Sequence, residues 1–167
     1  MKITALAVFL MILITFNTAN AQPLLKQNKF YIKLYTEKYI SKDPYWQKAL
    51  EAILKVESQN GKYKIGKLDP SYGISQMKTS TARDCAKMIG LSIPENEEDL
   101  KNLIIADDRL AIQLASVYLG SLLKIFNEAN LTLIAYNSGQ GTVIRGLQAG
   151  VQLPMEYLEK VKTAMGD

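Results

Sequence analysis

The stretch "KDPYWQKALEAILKVESQNG", Lys42–Gly61, decides the fold class. Asp43 is of a helix-capping type, and Pro44 suits the first helical position, where its missing N–H is not needed. Trp46, Ala49, Leu50, Ile53 and Leu54 recur at helical spacing and make one apolar face. Ser58-Gln59-Asn60-Gly61 then stops the helix. The next position on the apolar stripe is Glu57, on the same side of the helix as Leu50 and Ile53. Helix geometry alone leaves two readings of this acid open. It either turns out to solvent at a fraying end, or it is drawn partly out of water. In the second case burial disfavours the charged form, and the negative end of the helix dipole pushes the same way. Both effects raise the pKa above the usual ~4.3 of glutamate. A carboxylic acid that stays protonated near neutral pH is what a general acid needs.

The rest of the chain repeats the helical period. "KTSTARDCAKMIG" reads as a helix with Thr79 or Ser80 as cap and Gly90 as stop, and "IPENEEDLKNLI" as a turn and a short helix. "DDRLAIQLASVYLGSLLKIF" is the longest helix, capped by Asp107 or Asp108, with a stripe through Leu110, Leu114, Val117, Ser121, Leu122 and Ile125. "LTLIAYNSG", "GTVIRGLQAG" and "MEYLEKVKTAM" supply three more helices. In residues 22–43, Phe30, Leu34 and Tyr35 point to a short helix. "QNGKYKIGKLDPSYG" is a loop by its Gly, Asp and Pro content, with room for a small hairpin. No stretch alternates with β-branched enrichment, so the expected fold is mainly α, a single domain with a loop or hairpin after the helix that carries Glu57.

Composition excludes several chemistries. The chain has 167 residues, enough for one domain with a real core. It contains no histidine, which removes His-based triads and His-ligated metal sites. Its one cysteine, Cys85, cannot form an internal disulfide and falls at helical spacing with Ala82, Ala86 and Ile89, as a small buried hydrophobe does. Acid–base work is left to carboxylates, Lys and Tyr. The net charge of +4 favours anionic polymers in general, but the basic residues form no dense run, which argues against nucleic acid. At the N-terminus, Lys2 precedes the apolar run "ITALAVFLMILITF", and Ala19-Asn20-Ala21 follows the small-x-small pattern of a signal peptidase site. The run is shorter than the roughly 20 residues of a membrane-spanning helix. Export with cleavage after Ala21 is expected, to the periplasm or the outside; an uncleaved anchor is the alternative.

Five segments appear in order along the chain: Glu57-Ser58, Gly73-Ile74-Ser75-Gln76, Thr81-Ala82, Ala135-Tyr136-Asn137-Ser138-Gly139, and Tyr157 before a final helix. In this order and spacing they resemble the lytic transglycosylases of the soluble-transglycosylase type, relatives of goose-type lysozyme that cleave bacterial peptidoglycan. The resemblance covers roughly residues 44 to 162 and implies a lysozyme-like catalytic domain over 44–167. It implies Glu57 as the catalytic acid and Tyr136 as its partner, with a core tyrosine as the other reading of Tyr136. It puts Gln76, Asn137 and Tyr157 at the sugar groove, where Gln76 offers both a donor and an acceptor. For Asn137 a helix-capping role and a sugar contact stay open, and Tyr157 reads more readily as packing. Two departures stand out. The family's Leu-Met is Ile74-Ser75 here, and a Ser that many members carry between the Glu and the Gln is replaced by Ile65-Gly66-Lys67, leaving Ser71 as an open substitute. Gly73 is expected to let the backbone approach a polysaccharide.

The resemblance implies an activity that uses one acid. No convincing second carboxylate stands out: Asp69, in the loop after Glu57, could approach it but reads better as a turn former before Pro70, and Asp107 and Asp108 read as caps. In such enzymes the acid protonates the bond between N-acetylmuramic acid and N-acetylglucosamine, then returns as base to the 6-hydroxyl, closing a 1,6-anhydro ring. Neither metal nor organic cofactor is implied. The implied partners are peptidoglycan strands and, by analogy, a secretion, conjugation or pilus apparatus that needs the wall opened. A lysozyme-like hydrolase on the same fold and an inactive peptidoglycan-binding scaffold are the alternatives.

Overall fold

The computed structural model describes residues 24–59, 61–66 and 70–166. The export signal read at residues 1–21, and Asp69, lie outside them. Eight helices run through the described residues: α1 Leu24–Tyr39, α2 Pro44–Ser58, α3 Thr79–Met88, α4 Glu97–Ala106, α5 Asp108–Phe126, α6 Ala129–Ser138, α7 Gln140–Ala149 and α8 Glu156–Met165. No strand occurs among the described residues. Two isolated antiparallel bridges, Ile65 with Tyr72 and Tyr72 with Met77, tie the loop after α2 into a compact double turn. The mainly-α expectation holds.

The central element is α5. It packs against α1, α3, α4 and α6, while α2 packs on α1 and α8. Leu114, Leu119 and Leu122 of α5, Leu50, Ile53 and Leu54 of α2, Leu133 of α6 and Leu158 of α8 are all fully buried. Burying side chains of this size stabilises by roughly 1.5–3 kcal/mol each before chain entropy is set against it. The start of α2 follows its sequence. Asp43 Oδ1 accepts from the Tyr45 backbone N–H at 2.9 Å, and Pro44 takes the first helical position.

Three local expectations change. The first concerns α1, where Phe30 and Leu34 face solvent, while Ile32, Tyr35 and Thr36 turn inward. The inner face is the one that meets α2 and α5, and Asn28 on it donates to Asp108 Oδ2. The second concerns α3, which is preceded by Lys78 with no side-chain cap; Thr79 is already helical, and its hydroxyl donates to Glu97 of α4. The third concerns the pair before α5. Asp107 is the cap, accepting from Leu110 N–H at 3.0 Å, whereas Asp108 accepts from Lys64 Nζ at 2.7 Å. Lys64 also donates to the Ile105 carbonyl. This half-buried pair pins the loop after α2 to the α4–α5 junction and, through Asn28, to α1.

The residues before α2 therefore share one core with those after it. At Gly120, in the middle of α5, a Cβ atom would run into the Tyr39 carbonyl at the end of α1. A backbone oxygen cannot swing aside as a side-chain tip can. Gly120→Ala should consequently push α1 off α5 and lower stability by about 2 kcal/mol or more. Thermal unfolding checks this; an unchanged midpoint would mean that α1 is not docked as described.

Candidate active site

Glu57 occupies the last turn of α2, and its surroundings explain why an acid stands there. The helix ends through backbone geometry. Gln59 takes a left-handed conformation (φ 48°), and its N–H bonds to the Lys55 carbonyl. Ser58 is fully buried and serves both sides of the stop, donating to the Leu54 carbonyl at 2.8 Å and accepting from Gly61 N–H at 2.7 Å. With Ser58 fixed on the inner face, Glu57 is turned toward a cleft of about 350 Å³. The cleft wall runs from Glu57 through Ser71, Gln76 and Lys78 to Tyr136 and Asn137. Among the described residues that line it, Glu57 is the one carboxylate.

The carboxyl of Glu57 accepts a 2.7 Å hydrogen bond from the Tyr157 hydroxyl, which reaches it from α8. Burial pushes the Glu57 pKa up from its ordinary 4.5 to about 7, against the opposing pull of the Tyr157 bond, which favours the carboxylate. Both site tyrosines are held well above the ordinary phenol value, first by burial and next by the Glu57 charge, so both keep their protons and remain donors. The same burial drives the Cys85 thiol up to about 12, which leaves it an inert core side chain.

The partner of Glu57 differs from the expected one. Tyr136, expected to hold the acid, donates instead to the Ser75 carbonyl across a long 3.4 Å. Its ring leans on Tyr118, with centroids 5.4 Å apart. Tyr157, read as packing or sugar contact, carries the bond to Glu57. The reason is positional. Tyr136 lies on α6, whose buried face packs on α5, whereas α8 lies directly along α2 and brings Tyr157 to its last turn.

The remaining expected residues line the same cleft with other employments. Gln76 donates through Nε2 to the Gly73 carbonyl at 2.9 Å and the Tyr63 carbonyl at 3.4 Å, and its Oε1 accepts from Ser71 Oγ at 3.1 Å. Gln76 and Ser71 thus brace the loop that forms one wall, even with Gln76 in a left-handed conformation (φ 46°). Asn137 is exposed on the cleft side, within α6; the stop is made by Gly139, whose N–H bonds to the Ala135 carbonyl. Gly73 has φ 73°, and a Cβ there would sit 2.6 Å from the Ile104 carbonyl. The close approach it allows is to α4 rather than to a ligand. Thr81, part of the Thr81-Ala82 segment, lines the cleft, and sequence reasoning missed Tyr118 and Lys78 as wall residues. Only Tyr118 left a signal, as a polar-tipped aromatic beside the apolar stripe of α5.

The raised pKa has a stability consequence with a definite sign. Between pH 4.5 and about 7 the folded chain holds a proton on Glu57 that the unfolded chain has released. Stability therefore falls as the pH rises through that window, by a total of roughly 3 kcal/mol. Glu57→Gln removes this dependence while keeping the shape. The variant should match the parent at pH 4 and exceed it by up to roughly 3 kcal/mol at pH 8. Denaturant unfolding at the two pH values checks this, and equal stability at pH 8 would return Glu57 to solvent.

A search of curated proteins gives no match. The family model of the transglycosylase SLT domain matches residues 34–153, from the middle of α1 to the turn before α8. The match takes in Glu57, the braced loop and Tyr136, and it stops just short of Tyr157. The chain belongs to the transglycosylase SLT domain family, lysozyme-like and all-α in fold, with a peptidoglycan lytic transglycosylase type of function.

Proposed function

We infer that the protein is an exported lytic transglycosylase that cuts the β-1,4 bond between N-acetylmuramic acid and N-acetylglucosamine and leaves 1,6-anhydromuramyl ends. One observation carries this reading: an acid with a pKa of about 7 faces a polar cleft that has no second carboxylate among its described lining residues. Glycosidases that activate water commonly do so with two carboxyl groups across the scissile bond. Glu57, the one carboxylate among the described lining residues, serves twice in this reading.

In this reading protonated Glu57 gives its proton to the glycosidic oxygen as the C1–O bond breaks. Positive charge develops on the muramyl ring and is shared with the substrate's own N-acetyl group. The Glu57 carboxylate then takes the proton of the 6-hydroxyl, whose oxygen bonds to C1. Glu57 ends protonated, and no water is consumed. The 6-hydroxyl is already tethered to the reacting carbon, and tethering in good geometry is worth several kcal/mol over a free nucleophile. A pKa near 7 suits both halves, since the group must release and regain a proton at similar ease. Tyr157 acts as a positioning residue. Its bond fixes the carboxyl orientation and supports the carboxylate between the two proton transfers. Substrate outside the cytoplasmic membrane agrees with the export signal. Envelope secretion, conjugation and pilus machines, which need local openings in the wall, are the setting the reading implies.

Purified peptidoglycan digested by the enzyme should give muropeptides with anhydro ends, each lighter by one water than a hydrolysed end, by mass spectrometry. Reducing muramic ends as the main product would make the protein a hydrolase, and wall binding without product would make it a scaffold. Glu57→Gln should abolish the product while leaving the fold intact.

Tyr157→Phe should lower the rate about 10–100-fold, in keeping with a lost hydrogen bond to a charged group of ~1.5–3 kcal/mol. Activity should fall as the pH rises past the Glu57 pKa. Because the Tyr157 bond lowers that pKa, its loss should move the alkaline limb of the pH–rate profile upward. A slower enzyme with an unmoved limb would make Tyr157 a packing residue only.

A further inference from the structure

Among the described residues, two buried side-chain oxygens have no hydrogen-bond partner, Thr36 Oγ1 and Ser75 Oγ. Thr36 lies on α1, remote from the cleft wall. Ser75 belongs to that wall, beside Glu57 and Gln76. The other serines around the acid are employed: Ser58 makes two bonds, Ser71 donates to Gln76, and Ser138 donates to the Ile134 carbonyl at 2.9 Å. Ser75 alone among them makes no side-chain bond, although its residue is 1% exposed.

A hydroxyl left unpaired in a buried place destabilises a fold, and an alanine would fit the same space without the penalty. The surroundings also hold Ser75 in position. Gly73 turns the chain in a left-handed conformation against α4, Ile74 is fully buried on one side, and Gln76 is tied back to Gly73 on the other. The Tyr136 hydroxyl spends its proton weakly on the Ser75 carbonyl at 3.4 Å and keeps its acceptor side open. Two hydroxyls with unused capacity thus lie together in the wall next to the acid. The serine hydroxyl turns among three staggered positions about χ1 and can meet a group seated against that wall.

We propose that Ser75 is a substrate-binding residue, whose hydroxyl hydrogen-bonds a hydroxyl or amide of the amino-sugar unit lying beside Glu57. The contact rests on the glycan-cleft reading and adds to it a residue that makes no bond within the protein. It also explains why a polar group is kept where packing favours an apolar one.

The test is binding of a β-1,4 tetramer of N-acetylglucosamine, followed by calorimetry in the Glu57→Gln background so that the ligand is not consumed. Ser75→Ala should weaken the affinity about tenfold, equivalent to about 1.4 kcal/mol. Its thermal midpoint should be equal to that of the parent or higher. Unchanged affinity would overturn the Ser75 contact and leave the glycan-cleft reading standing. Affinity and midpoint falling together would also overturn it, by showing that Ser75 serves the fold. No binding by the parent would overturn the glycan-cleft reading, and the Ser75 contact with it.

Discussion

The 2.7 Å bond between Tyr157 and Glu57 joins the two ends of the fold's reasoning. An acid on the inner side of α2 is tolerable only if something meets it, and the hydroxyl arriving from α8 does so without supplying a charge. A lysine or arginine in the same place would hold the carboxylate firmly ionised and end its use as an acid. A phenol whose own pKa is raised by burial keeps its proton and offers a single donor. The balance between desolvation and that one bond leaves Glu57 near pH 7, where it can both give and take a proton.

Much of the structure exists to keep this balance. The packing of α2 against α8 sets the distance between the two side chains. Ser58 locks the end of α2, so that Glu57 cannot unwind into water. The Lys64–Asp108 pair, aided by Asn28, ties the adjoining loop to α1, α4 and α5, and Gln76 stiffens its far side. A half-buried pair of this kind adds little net stability. Its effect here is to fix where the cleft wall stands relative to the acid. The acid carries an energetic burden of its own: an ionised Glu57 leaves the fold weaker above neutral pH, and activity is the compensating return.

The fold was legible wherever a residue's role depends on its own helix. The stripe Trp46 to Leu54, the cap Asp43, the stop at Gly90 and the long core helix α5 are all properties of local period and capping. The position of Glu57 on the wrong face was legible for the same reason. What the sequence could not carry was the pairing of distant elements. Whether Tyr136 or Tyr157 meets Glu57 depends on which helix lies beside α2. Both are tyrosines on helices that begin or end near the site, and nothing local tells them apart. Ser71 and Gln76 looked like free polar groups because their bonds close a loop rather than a helix. Gly73 looked like a ligand-facing turn because the Ile104 carbonyl it makes room for comes from α4. Asp108 looked like a second cap because its partner, Lys64, is a loop residue on the far side of two helices.

The central claim is that Glu57 is an uncharged acid at the edge of neutrality, set there by burial against a single phenol. A carbon-detected NMR titration of the Glu57 side-chain carboxyl, assigned by its loss in Glu57→Gln, measures this without reference to substrate or product. The midpoint is predicted at about 7. A midpoint near the ordinary 4.5 would contradict the account, because the carboxyl would then be a solvated helix-end glutamate and Tyr157 a bystander.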